Sequence, residues 1–133
     1  MKKESNIHKI AEDPALYTRS LRIYENLHIP LWLLKDTCWV LEWRMPGMIM
    51  IIPTVLFALR IAWKTRHKRS EFLPNLAIVF WIFANASWMT DEFYELGLKQ
   101  YCIFPFLLGL MTTAWWLVAD FPRILKEYRN QIT

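Results

Sequence analysis

Three long stretches without a charged residue constrain the fold of this chain more than any other feature. They cover residues 45–59, 72–90 and 100–119, and they are 15, 19 and 20 residues long. A helix needs about 20 apolar residues to cross the hydrocarbon core of a bilayer. The chain is also 55% hydrophobic with eight tryptophans, a composition that excludes a disordered protein. We therefore expect an all-α, polytopic membrane protein.

Four transmembrane helices are predicted from these stretches and their flanks. Their approximate bounds are 27–43, 45–64, 72–90 and 100–119. The first is the least apolar because Lys35, Asp36 and Glu42 interrupt it. The Met-Pro-Gly sequence at 45–47 predicts a tight turn between the first two helices. The transmembrane domain is thus expected to cover residues 27–119.

The lysines and arginines are distributed unevenly among the segments outside these predicted spans. The N-terminal tail, the connection at 64–69 and the C-terminal tail carry twelve, whereas the two opposite loops carry only Arg44 and Lys99. Because basic loops stay on the cytoplasmic side, we predict a cell-membrane protein with both termini in the cytoplasm. Topology and attraction to anionic lipid headgroups account for the basic residues, so no nucleic-acid partner is predicted.

Two cytoplasmic tails are expected to flank the transmembrane domain, at residues 1–26 and 120–133. The Asp13-Pro14 pair resembles a helix start, with aspartate as the cap and proline in the first turn. In the residues that follow, apolar side chains fall on one side of a helix and polar side chains on the other, which predicts an amphipathic helix of about three turns. We predict that this helix lies along the membrane surface; the alternative is that it covers the end of the bundle.

The two halves of the chain resemble each other, which predicts a duplicated helical hairpin at about 27–64 and 72–119. The residues matched at an offset of 49 are Trp32 and Trp81, Asp36 and Asn85, Trp39 and Trp88, and Glu42 and Asp91. Pro53 matches Pro105 at an offset of 52. A two-span unit returns the chain to its starting side, so the repeats would be parallel, around an axis along the membrane normal. Chance matching among apolar residues is the alternative.

Aromatic and polar side chains share one face of the first helix of each predicted repeat. These stripes are Trp32, Asp36, Trp39 and Trp43 in one helix, and Trp81, Asn85, Trp88 and Glu92 in the other. We expect the stripes to face each other, with Asp36 near Asn85 and directed into the bundle. A charge near the centre of a membrane helix costs about 2.5–3.5 kcal/mol. Lys35, about 100° around the helix, is expected to face other acidic residues.

These stripes predict a polar pocket in the outer half of the bundle. Its predicted tryptophans are Trp32, Trp39, Trp43, Trp81 and Trp88, and its polar residues are Lys35, Asp36, Glu42, Asn85, Asp91 and Glu92. Intramembrane ionisable residues are functional candidates by default. The competing interpretation is that they only hold the helices together.

Three classes of function fit such a pocket. The favoured hypothesis is a small proton- or cation-linked transporter or channel-like protein, expected to be a homodimer or part of a larger membrane complex because four helices enclose little space. The alternatives are an accessory subunit without transport, and a membrane enzyme that acts on a lipid or isoprenoid through the pocket carboxylates. The small ligand is not identified by the sequence.

The sequence predicts no metal and no cofactor. No histidine pair has metal-ligand spacing, and no phosphate-binding glycine motif is present. Cys38 and Cys102 do not form the paired motif of thiol–disulfide enzymes. The motif residues that surround the carboxylate of small multidrug exporters are also missing, so no family is assigned.

Overall fold

A computed structural model describes residues 14–132, and the side chains of residues 14–21, 24 and 25 are not described. Helices dominate this part of the chain, which contains no β-strand. The helices are α1 (Pro14–Val40), α2 (Arg44–Thr65), α3 (Arg69–Tyr94), α4 (Ile103–Ala119) and α5 (Phe121–Ile132), with a 3-10 helix at Lys99–Cys102. The all-α prediction is therefore confirmed.

Three helical segments are long and apolar enough to cross a membrane, as expected for a membrane protein. They are Arg44–Thr65, Arg69–Tyr94 and Lys99–Ile132. Helix α1 is not among them because every stretch of 18 residues within it carries at least three charged residues, drawn from Arg19, Arg22, Glu25, Lys35 and Asp36. The fourth predicted span, the number of passes and the orientation of the termini therefore stay predictions.

Helix α1 is one continuous element where the sequence predicts two. It passes through residues 26 and 27 without a break and contains Pro30. A proline inside a helix removes one backbone donor, but it does not end this helix. Most side chains of the predicted amphipathic face are not among those described, and residues 1–13 also lie outside the described part of the chain.

The turn between α1 and α2 lies at residues 41–43, before the predicted Met-Pro-Gly turn. Glu42 takes a left-handed conformation with φ of 54°. Its N–H donates to the carbonyl of Trp39 at 3.0 Å, and the N–H of Trp43 donates to that of Cys38 at 2.8 Å. This pair of bonds is the Schellman pattern that ends helices, so the chain reverses before residue 45.

The Met-Pro-Gly segment instead forms the first turn of α2. Proline fits there because the first N–H groups of a helix have no intrahelical acceptor. Gly47 is buried against α1 and α3, where an added Cβ would lie 3.3 Å from a ring carbon of Phe93 and 3.5 Å from Cβ of Cys38. This glycine therefore allows close approach of the three helices.

The helices pack in chain order, α1 on α2, α2 on α3 and α3 on α4. Small side chains at the contacts allow this close packing. One buried cluster joins Ala58 and Ala62 of α2 to Val79 and Ile82 of α3. Gly109 of α4 faces the backbone of α3, where an added Cβ would lie 3.4 Å from the carbonyl oxygen of Ala77.

The bundle has two ends, which we name by their connections. The distal end holds the connections 41–43 and 95–102, and the basic end holds the connection 66–68 and the α4–α5 junction at Asp120. At the basic end, Arg69 Nε donates to Oδ2 of the buried Asp120 at 3.1 Å. Trp116 Nε1 donates to the carbonyl oxygen of Ser70 at 2.9 Å. These bonds attach the end of α4 to the start of α3.

Candidate functional site

The carboxylate of Glu92 joins α1 to α3 at the distal end. Trp39 Nε1 of α1 donates to Glu92 Oε2 at 2.6 Å, and Trp88 Nε1 of α3 donates to Glu92 Oε1 at 3.0 Å. The two indole rings meet edge to face, with centroids 5.9 Å apart and planes at 73°. Hydrogen bonds to a charged acceptor are stronger than neutral ones, so the two donors fix the orientation of this carboxylate.

A lysine ammonium group also lies close to each of these two indole rings. Lys35 Nζ lies 5.6 Å from the ring centroid of Trp39, and Lys99 Nζ lies 5.5 Å from that of Trp88. Both distances are within the range of cation–π attraction. Lys99 comes from the 3-10 helix before α4, and the sequence indicated it only as a loop charge. Lys99 and Trp88 lie on different helices, so helical spacing does not predict their contact. The contact depends on the fold of the connection at 95–102.

Asp36 and Asn85, which the sequence predicts to lie near each other, form hydrogen bonds with other partners. The Lys35 ammonium donates to the Asp36 carboxylate, and Asn85 Nδ2 donates to the carbonyl of Trp81 on its own helix at 2.9 Å. Lys35 is buried, whereas the Asp36 side chain is 47% exposed. The four-carbon stem of lysine spans the 100° between neighbouring helix positions. Among the described side chains of α1, the buried charge is therefore the lysine, and its partner is the next residue in the chain.

A cavity of about 490 Å³ opens beside Glu92 at the distal end. Its lining residues are Trp39, Val40, Glu42, Arg44, Glu92 and Phe93. We call this space the distal pocket. It combines two carboxylates, one guanidinium and an indole ring. Arg44 was predicted only as a loop charge, and the left-handed turn at Glu42 brings it to the pocket wall.

Asp91 has a different environment from its neighbour Glu92. It is buried, and its Oδ1 accepts the backbone N–H of Leu98 at 2.7 Å. This bond closes the connection between α3 and the 3-10 helix. Of the predicted acidic residues, only Glu42 and Glu92 line the distal pocket.

Trp32 and Trp81 line a second space, an apolar cleft of about 460 Å³ between α1, α3 and α4. Their rings meet with centroids 5.2 Å apart. The other lining residues of this apolar cleft are Pro74, Ala77, Ile78, Phe106, Gly109, Leu110, Thr113 and Trp116. Four of the five predicted pocket tryptophans therefore divide into two pairs, one beside a carboxylate and one in an apolar surrounding. The fifth, Trp43, is exposed and lines neither space.

The described residues contain no group of three or more side chains that could hold a metal ion. No protein-family model, curated protein or solved structure matches this chain. The interpretation of the site therefore depends on its own geometry.

Proposed function

We propose that this chain is a small membrane protein that binds a cation in the distal pocket. The observation that carries the proposal is the carboxylate of Glu92, which two indole N–H groups orient at the wall of that pocket. A carboxylate held in place by the fold needs little reorganisation when a cation arrives. Glu42 supplies a second carboxylate to the same wall.

An organic cation fits this pocket better than a bare metal ion. Metal ions such as Ca²⁺ require six to eight oxygen ligands, and the distal pocket presents two carboxylates beside Arg44. An ammonium group can instead use a carboxylate together with the face of an indole ring. A volume of about 490 Å³ is within the usual range for a small-molecule site.

The working function that we propose is a small cation-linked transporter or channel-like protein. It would cross the membrane four times, with cytoplasmic termini and the distal pocket outside, and act as a homodimer or in a larger membrane complex. The charges of the connections support this orientation. Asp36, the residue favoured by the sequence, then balances the buried Lys35.

The proposal includes a duplicated hairpin, which the tryptophan contacts support and the proline positions oppose. The tryptophans matched at an offset of 49 contact each other in pairs, Trp32 with Trp81 and Trp39 with Trp88. Such contacts are expected close to a two-fold axis. The prolines matched at 52 differ in position, because Pro53 lies in the middle of α2 and Pro105 in the first turn of α4.

The accessory-subunit hypothesis is the second candidate, and the apolar cleft favours it. An apolar groove bordered by Gly109 and by aromatic side chains suits a helix of another membrane protein. The enzyme hypothesis has less support because the residues that line the apolar cleft include no carboxylate. An enzyme that protonates an alkene needs an acid within reach of its apolar substrate.

The proposed function is tested by calorimetric titration of the full chain in detergent with tetraethylammonium. We expect Glu92→Gln to weaken binding at least tenfold, or about 1.4 kcal/mol, because the amide carries no charge. The matched control is Glu95→Gln, an exposed residue of the same end that does not line the distal pocket. Equal weakening in both variants, or no binding by the unmodified chain, would contradict a cation site and favour the accessory subunit.

A further inference from the structure

The last helix, α5, is strongly amphipathic. Its apolar residues recur every three or four positions, at Phe121, then Ile124 and Leu125, then Tyr128 and Ile132. At 100° per residue they occupy an arc of about 100°. All five side chains are exposed. If α5 lay on the surface of a soluble protein, this apolar stripe would contact water at a considerable cost in free energy.

Charged residues occupy the remainder of the α5 surface, and most are basic. They are Arg123, Lys126 and Arg129, against the single acidic residue Glu127. The segment 64–69 lies at the same end of the bundle and adds four basic residues, of which Lys68 is paired with Glu71 and Arg69 with Asp120. Anionic lipid headgroups attract such clusters, so the charge of α5 matches a membrane surface.

The position of α5 along the chain also points to the membrane surface. The segment Lys99–Ile132 has 34 residues and would be about 51 Å long as one straight helix. This exceeds the roughly 30 Å hydrocarbon core, so α5 extends beyond a span formed by α4. Asp120 is held by Arg69 at the junction, and Pro122 lacks the N–H that would continue the helix regularly.

We propose that α5 is a membrane-surface helix that binds a bilayer containing anionic lipid at the basic end. Its apolar stripe enters the boundary between headgroups and acyl chains, as amphipathic helices of this composition do. Phe121 begins the stripe beside Trp116 of α4, with ring centroids 5.4 Å apart. The stripe is thereby continuous with the aromatic residues at the end of the preceding span.

The test measures the depth of nitroxide labels on the full chain in lipid nanodiscs. Single cysteines are introduced by Ile124→Cys and Tyr128→Cys in the apolar stripe, and by Glu127→Cys and Asn130→Cys on the polar face. The background carries Cys38→Ala and Cys102→Ala. We expect oxygen collisions to dominate severalfold at the first two sites, and collisions with a water-soluble nickel complex to dominate at the other two.

Lipid charge provides the second readout. With the label at residue 124, replacing phosphatidylglycerol by phosphatidylcholine should reduce the membrane-bound population of α5. Arg123→Gln and Lys126→Gln should each lower the ratio of membrane-bound to free α5 about fivefold in the anionic nanodisc, whereas the control Glu127→Gln should not lower it. Equal water exposure of all four labels would overturn the proposal. So would dipolar broadening between labels at 124, because a second copy of the chain would then cover the stripe.

Discussion

The basic end and the distal end of the bundle both join helices through indole N–H groups and charged side chains. At the basic end, Trp116 donates to a backbone carbonyl and Arg69 is paired with the buried Asp120. At the distal end, Trp39 and Trp88 donate to the carboxylate of Glu92, which also lines a cavity. The carboxylate is buried at the basic end, whereas at the distal end it is exposed to a cavity.

This difference separates stability from ligand binding. Asp120 is 7% exposed and uses its charge on one partner within the chain. Glu92 is exposed, and its two indole donors leave further lone pairs available for a cation. Changes at the basic end should therefore reduce stability, and changes at the distal end should reduce binding.

The largest expected effect on stability is that of Arg69→Ala. The change leaves the carboxylate of Asp120 buried without its guanidinium. We expect the free energy of unfolding to fall by about 2 kcal/mol, less than the roughly 3–5 kcal/mol of a fully buried pair, because the Arg69 side chain is 53% exposed. An unfolding titration in mixed micelles with SDS measures it.

The matched change Asp120→Asn should cost less than half as much, because the half-exposed Arg69 can return to water when its partner loses charge. Neither change should alter binding of tetraethylammonium at the distal pocket. If both variants are equally unstable, the enclosed carboxylate does not dominate the energetics of the basic end.

The sequence predicts the tryptophan contacts of the site well. Residues spaced by four and three positions share a helix face, and the matched halves predict that the two faces meet. Trp39 contacts Trp88 and Trp32 contacts Trp81. The spacing does not decide between Lys35 and Asp36. Adjacent residues lie only 100° apart, and small rotations of α1 determine which side chain becomes buried.

The sequence pattern does not predict the conformation of the connections, for a different reason. Glu42 and Glu95 both have positive φ, at 54° and 52°, in a conformation that usually favours glycine. Without a glycine to mark the helix end, the sequence placed the turn at Met-Pro-Gly. Tertiary packing of Gly47 against Phe93 instead draws that segment into α2. Lys99 and Arg44 reach the site only because of these connections.

A smaller effect is expected from removing single indole donors. Trp116→Phe should lower the free energy of unfolding by about 1 kcal/mol, the usual contribution of one neutral hydrogen bond. Trp39→Phe should lower it by about 1.5 kcal/mol because the lost acceptor is a carboxylate. Only Trp39→Phe should also weaken cation binding, since Trp39 orients Glu92 in the distal pocket. Weaker binding in Trp116→Phe, measured by the same calorimetric titration, would show that the two ends are coupled.

The smallest expected effect comes from the two left-handed glutamates. Glycine avoids the steric cost of this conformation, about 1 kcal/mol or more, but it loses more backbone entropy on folding. Glu42→Gly and Glu95→Gly should therefore each stabilise the fold by only about 0.5 kcal/mol. Glu42→Gly should weaken binding of tetraethylammonium because it removes a carboxylate from the distal pocket. Glu95→Gly should leave it unchanged. Similar binding by the two variants would show that Glu42 serves the turn alone and that Glu92 is sufficient for the cation.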